Sequence, residues 1–161
     1  MKIEIKRVYN NPSQYKGEES SSIFELEGDQ IIKFKSPLYY DVIAEAIPGE
    51  LVIHGVLTVN LSLRCSFCND FFDSIITVPD FMRVIQFVNI SEVVDLTNDM
   101  RESMLLALPF YPVCRPGCKG LCFMCGANLN YEKCSCKPVH DMRWDVLDKL
   151  NFEKMQNGGK K

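Results

Sequence analysis

Residues 50–63 read ELVIHGVLTVNLSL. Leu51, Ile53, Gly55, Leu57, Val59, Leu61 and Leu63 fall on one side of this stretch, and Val52, His54, Val56, Thr58, Asn60 and Ser62 on the other. Apolar residues recurring with period two over so long a run fit a strand, whose side chains alternate between faces, and do not fit a helix. A strand with one apolar face needs neighbours on its edges and a layer over that face.

The flanks supply the neighbours. Downstream, residues 71–78 and 81–88 keep the alternation and read as two strands joined by a turn at Pro79-Asp80. Upstream, residues 39–47 read as a strand ending at Pro48-Gly49. Residues 23–26 and 30–35 flank Gly28-Asp29, a hairpin signal. Residues 2–8 alternate as a further strand, whereas residues 10–22, with Pro12, Gly17 and three consecutive serines, read as a loop. Strands at this spacing predict an antiparallel meander, either a curled sheet or a partly closed barrel.

From Asp95 the period changes. Thr97 or Asn98 can cap a helix in which Met100, Met104, Leu105 and Leu108 share a face, and Pro109 ends it. A cysteine-rich segment follows. Residues 141–152 then read as a short helix capped by Asp141, with Trp144 and Leu147 on its apolar stripe. The expected class is α+β: an antiparallel β domain over 1–94, then a helix and zinc-knuckle subdomain over 95–161 packed on it, or the two as one continuous domain.

The cysteines follow the pattern Cys65-x2-Cys68, then Cys114-x3-Cys118-x3-Cys122-x2-Cys125-x8-Cys134-x-Cys136. Six cysteines within 23 residues are not a chance arrangement of buried small side chains. Zinc takes four tetrahedral thiolate or imidazole ligands, and a tight Cys-x2-Cys turn presents two of them to one ion. Gly117, Gly120 and Gly126 stand where such turns fall. One site is expected from Cys122, Cys125, Cys134 and Cys136. A second, by elimination, takes Cys65, Cys68, Cys114 and Cys118 and clamps the two halves of the chain together. Swapped pairings and His140 as a ligand stay open, as does the count of one or two zinc ions. A redox reading would make Cys65 and Cys68 a reactive dithiol, although the strand-to-helix context of such motifs is missing.

The chain has 161 residues, 47% of them hydrophobic and 24% charged, as a globular protein with a core requires. Its net charge of −3 argues against coating nucleic acid through a broad positive field. The N-terminal residues lack the apolar run of a signal peptide, and no stretch is apolar enough to span a membrane. A cytoplasmic setting is therefore expected, where eight cysteines suit metal better than disulfides. His54 and His140 stand alone, no phosphate-cradling motif is present, and neither catalysis nor a small-molecule substrate is expected.

Leu105-Leu-Ala-Leu-Pro109 leading into Cys114-x3-Cys118-Lys-Gly-Leu-Cys122-x2-Cys125-Gly-Ala-Asn-Leu-Asn130, then Cys134-x-Cys136 and Asp141-Met-Arg-Trp144, resembles the YceD family, the large ribosomal RNA subunit accumulation proteins. Met142 stands where that family often has proline. The resemblance implies a bacterial cytosolic factor supporting 23S ribosomal RNA accumulation, with a ribosomal component, protein or rRNA precursor, as partner. Arg115, Lys119, Lys133, Lys137 and Arg143 surround the knuckle with Tyr131 among them, a combination of cations and a stackable ring that suits RNA or partner contact. A zinc-stabilised protein adaptor that never touches RNA is the other reading.

Overall fold

The computed structural model describes residues 1–26 and 28–137. Along the chain come β1 (Lys2–Glu4), a one-turn helix α1 (Ile5–Val8), β2 (Ser13–Glu19), a 3-10 turn (Ser21–Phe24), β3 (Ile32–Phe34), β4 (Leu38–Ile47), β5 (Glu50–Arg64), β6 (Phe71–Gln86), β7 (Val93–Asp95) and α2 (Thr97–Leu106). The helix expected over 141–152, with Trp144, lies outside the described residues, as do His140 and Arg143.

The alternation of residues 50–63 positions everything else. Leu51, Ile53, Leu57 and Leu61 on the inner face of β5 are completely buried. β4, β5 and β6 form the antiparallel meander, β2 adds to the outer edge of β4, and β3 pairs with β5 beyond the end of β4. Over the inner face lie Ile3 of β1, Ile5 and Val8 of α1, Phe24 of the 3-10 turn, and Met100 and Met104 of α2, all in one buried cluster. Arg83 of β6 fastens α2 by donating to Asp99 at 2.9 Å and to Ser103 at 3.0 Å.

Several expectations are corrected. Of the two forms expected for the β domain, the sheet is found, open, and not the partly closed barrel. Because β3 and β4 share one edge of β5, it is only four strands wide where β2 and β4 lie, too narrow to curl shut, and β1 pairs with β7 in a separate two-stranded ribbon. The turn at Pro79-Asp80 is no turn. Phe71–Gln86 is one strand, and the register with β5 slips there, from Gly55↔Phe81 to Leu57↔Val78. Proline has no N–H to give a ladder, so it sits in a bulge without breaking the strand.

Residues 10–22 are not simply a loop, because β2 pairs with β4 from Ser13 to Glu19. An edge strand is held by its backbone and needs little apolar side chain, so its polar composition concealed it. The hairpin at Gly28-Asp29 is absent. The Asp29 carboxylate instead accepts from the Ile31 and Ile32 amides, turning the chain so that β3 joins β5. The strand over 2–8 stops at Glu4, after which Ile5–Val8 makes its helical turn into the core.

Candidate metal centres

Two Cys-x2-Cys turns share one backbone design. At the first, which links β5 to β6, the Cys65 amide donates to the Asp70 carbonyl at 2.8 Å and the Asn69 amide to the Cys65 carbonyl at 3.0 Å. At the second, the Cys122 amide donates to Ala127 and the Gly126 amide to Cys122, both at 2.8 Å. The residue after the second cysteine is left-handed in each case, Asn69 at φ 65° and Gly126 at φ 75°. Glycine occupies this region without strain, and asparagine tolerates it better than other side chains. Gly126→Ala is therefore expected to cost about 1–2 kcal/mol, roughly a tenfold loss of metal affinity at that turn in a chelator competition. Asn69→Gly should leave affinity at the first turn unchanged or raised.

The turns gather eight sulfurs into two groups. Cys65 and Cys68 meet Cys114 and Cys118, with Cys68 Sγ 3.7 Å from Cys114 Sγ and Cys65 Sγ 4.0 Å from Cys118 Sγ. Cys122, Cys125, Cys134 and Cys136 form the other, with Cys134 Sγ 3.4 Å from Cys122 Sγ and 3.5 Å from Cys125 Sγ. Within each group all four sulfurs lie within 4.8 Å of one another, so both could hold a metal ion. Tetrahedral zinc with sulfurs about 2.3 Å away would set them roughly 3.8 Å apart, which these spacings fit.

The thiols favour the same arrangement. Burial pushes Cys65 up, but the Cys68, Cys114 and Phe67 amides outweigh it and bring the thiol down to about 6. Its neighbour Cys68 is pushed up by burial to about 12. In the second group the Cys125 and Met124 amides hold Cys122 at about 6, while hydrogen bonding with Cys134 and Cys125 pushes Cys136 up to about 12. Each group carries both a readily ionised thiol and one that resists ionisation beside it. A cation bound there would allow all four to be thiolates.

Backbone contacts fasten this module to the end of the sheet. The Ser66 amide donates to the Pro112 carbonyl at 2.8 Å and the Leu121 amide to Phe67 at 3.0 Å. Gly120, at φ 71°, is needed there, because a Cβ would come within 3.1 Å of the Phe67 carbonyl oxygen.

Two asparagines in the Gly-Ala-Asn-Leu-Asn stretch supply an outer layer to which the spacing assigned no role. Asn130 Nδ2 donates to Cys118 Sγ at 3.4 Å, while its Oδ1 accepts from the Lys119 amide at 3.0 Å. Asn128 Nδ2 reaches the Asp70 carboxylate at 2.9 Å, across to the first turn. The cysteine spacing gives no sign of either; only their position between the cysteine pairs could have.

The cationic residues singled out for contact are distributed through this module. Arg115 donates to Asn130 Oδ1 at 3.2 Å, so it braces the first group. Lys119, Lys133 and Lys137 are exposed. Tyr131 is 77% exposed, and its phenol is raised by the Asp70 carboxylate beside it. His54 is exposed on the sheet, away from both groups.

Comparison with known proteins places these features. The family model described as large ribosomal RNA subunit accumulation protein YceD matches residues 83–151, which include six of the eight cysteines. The chain is 46% identical over 46 residues to a maize protein named large ribosomal RNA subunit accumulation protein YCED homolog 1, chloroplastic. That match covers 28% of this chain and 16% of the maize protein. The Arabidopsis thaliana protein of the same name is 33% identical over 67 residues, 41% of this chain and 21% of the relative. An uncharacterised Mycobacterium tuberculosis protein is 42% identical over 58 residues, covering 36% of this chain and 28% of that protein. The chain thus spans well under half the length of these relatives. No solved structure matches it significantly. Among the described residues, no helix is long and apolar enough to cross a membrane.

Proposed function

We propose, on the match of residues 83–151 to the YceD family model, that this chain is a member of that family and a non-enzymatic zinc-binding factor supporting 23S ribosomal RNA accumulation and large-subunit assembly. The observation that supports the zinc role best is the pair of closed four-cysteine groups. Catalytic zinc keeps an open position and usually takes His or carboxylate ligands, whereas four thiolates leave no position free. Thiolate donors in a tetrahedral array suit zinc over harder cations. The metal's task is then to hold shape. The first centre pins the module to the β5–β6 turn, and the second folds residues 122–136 on themselves. Reduced thiols of this kind belong in a bacterial cytoplasm or its plastid equivalent.

Charge favours a ribosomal protein over RNA as the direct contact. Residues 1–109 hold nine Lys and Arg against sixteen Asp and Glu. The surplus of Arg115, Lys119, Lys133 and Lys137 over Glu132 in residues 110–137 is answered locally. Four thiolates around one divalent zinc leave a double negative charge at each centre, and these cations neutralise it instead of meeting phosphates. In cells depleted of this chain, mature 23S RNA should fall relative to small-subunit RNA, and the metal-loaded protein should co-sediment with large-subunit precursors. Absence from every ribosomal fraction, with an unchanged RNA ratio, would sink the reading.

A further inference from the structure

An open antiparallel sheet in water commonly packs one face on a core and turns polar side chains outward on the other. The outer face here does not. Ile43 is 37% exposed, Ile47 40%, Val56 39%, Val84 52% and Met82 58%. The register sets them side by side: Ile43 opposes His54, which opposes Met82, and half-buried Val52 opposes Val84. They make one apolar patch across β4, β5 and β6. Among the described residues the covering elements α1, α2, β1 and the 3-10 turn all contribute to the core on the opposite face. Contiguous exposed apolar area of this kind marks an interaction surface more often than chance.

The unpaired charge bordering the patch is acidic. Glu45 opposes Val52, Glu50 opposes Ile47, and Glu18 opposes Tyr39. None of the three has an ion-pair partner among the described residues, whereas Lys16, on the same face, is already held by Asp41 at 2.8 Å. This selects the occupant. RNA phosphates and an anionic lipid surface would both be repelled. A second copy packed face to face would bring the Glu45 and Glu50 carboxylates of both chains into one interface, where Lys16, the cation beside the patch among the described residues, is already taken by Asp41. Burying charges without partners is costly, so that arrangement is disfavoured.

We propose that this outer sheet face docks a cationic, amphipathic segment of a ribosomal protein, its apolar side chains covering Ile43, Val56 and Met82 and its Lys and Arg meeting Glu18, Glu45 and Glu50. The proposal rests on the ribosomal reading above and goes beyond it by naming the partner class and the surface, which is remote from the metal module. Apolar contacts at the centre of such a patch carry most of the affinity, and the acidic groups set orientation and salt dependence.

The test immobilises the metal-loaded full chain and offers it, in separate arms, the pooled proteins stripped from large ribosomal subunits and protein-free 23S RNA. The chain is expected to retain a basic ribosomal protein. Met82→Glu with Ile43→Glu should weaken retention by roughly tenfold or more. Glu45→Lys with Glu50→Lys should weaken it several-fold and flatten its salt dependence. Thermal midpoint and metal content of both variants should match the parent, since all four positions are at the surface of the sheet.

Any of these results would overturn the proposal: no ribosomal protein retained; retention unchanged in both variants; RNA retained and lost on Met82→Glu; or a dimer of the free chain dissolved by that substitution. Amide protection of the face in the free monomer that is lost on truncation after residue 137 would also overturn it, by assigning the patch to the chain's own C-terminal residues. Gradients on large-subunit precursors separate the two levels. Variants that still co-sediment like the parent sink this proposal alone, whereas a parent that never co-sediments sinks the ribosomal reading.

Discussion

Replacing Cys68 with serine is expected to release the whole cysteine module from the sheet, whereas Cys125→Ser should unfold only its outer part. The two sites differ in what they hold together. Cys65 and Cys68 are 2% exposed and sit in the turn between β5 and β6, and their partners Cys114 and Cys118 come from the segment after α2. The first group therefore joins residues nearly fifty positions apart. The second joins Cys122 to Cys136 within one loop, and Cys125 and Cys136 are exposed.

Structural zinc contributes about 10–16 kcal/mol of apparent binding free energy at neutral pH, much of it expressed as folding. With zinc in the two proposed sites, serine in place of one thiolate would remove a large share of that at either one. For Cys125→Ser, native mass spectrometry should show one retained ion, with new proteolytic cuts confined to residues 122–137. For Cys68→Ser, the cuts should begin near residue 109, because the Ser66–Pro112 and Leu121–Phe67 backbone bonds depend on the same turn staying closed. The sheet should keep its cooperative unfolding in both variants, since its core is built from Leu51, Ile53, Leu57, Met100 and Met104 and not from the cysteines. Equal proteolysis patterns in the two variants would show that the first group is no clamp.

How far the sequence could be read depended on where the information was stored. The strand over 50–63 was legible because burial wrote its periodicity into side chains. The cysteine groups were legible because ligand chemistry allows few residue types at few spacings. β2 was hidden because its stability comes from backbone pairing with β4, which leaves no mark on side-chain choice. The single strand through Pro79-Asp80 was hidden because proline in a bulge and proline in a turn look alike until the partner strand is known. The roles of Asn128 and Asn130 were equally unavailable, since an asparagine bonded to the Asp70 carboxylate or to the Cys118 sulfur is distinguished from one in a loop only by three-dimensional position. The outer apolar face was partly visible. Val52 and Val56 were read on the second side of the central strand, but Met82 and Ile43 join them only through register.

Register also explains why Gly55→Ala should be the most damaging single change within the sheet. Gly55 lies on the inner face of β5 directly across from Val42 of β4. A Cβ there would stand 2.2 Å from the Asp41 carbonyl oxygen and 2.5 Å from Val42 Cα. Both are backbone atoms of the neighbouring strand, so no side-chain rotation relieves the clash and the two strands must separate at the middle of their longest common ladder.

Overpacking in a core costs about 1–3 kcal/mol when side chains can yield. Here the loss is expected to reach about 3 kcal/mol or more, a large part of the roughly 5–15 kcal/mol that holds a domain together. Gly17→Ala is the matched comparison. Its Cβ would meet the Tyr40 hydroxyl at 2.5 Å, but that is the tip of a side chain at the sheet edge, which can swing away. Urea unfolding should therefore separate them, with Gly17→Ala within about 1 kcal/mol of the parent and Gly55→Ala far below it.

The metal groups are a further control. Position 55 is ten residues along β5 from Cys65, roughly 33 Å away. Folded Gly55→Ala protein should thus still bind its full complement of metal. A midpoint for Gly55→Ala equal to that of Gly17→Ala would mean that β4 and β5 do not approach as closely at Val42 as the structure has them, and the register that assembles the outer face would fall with it.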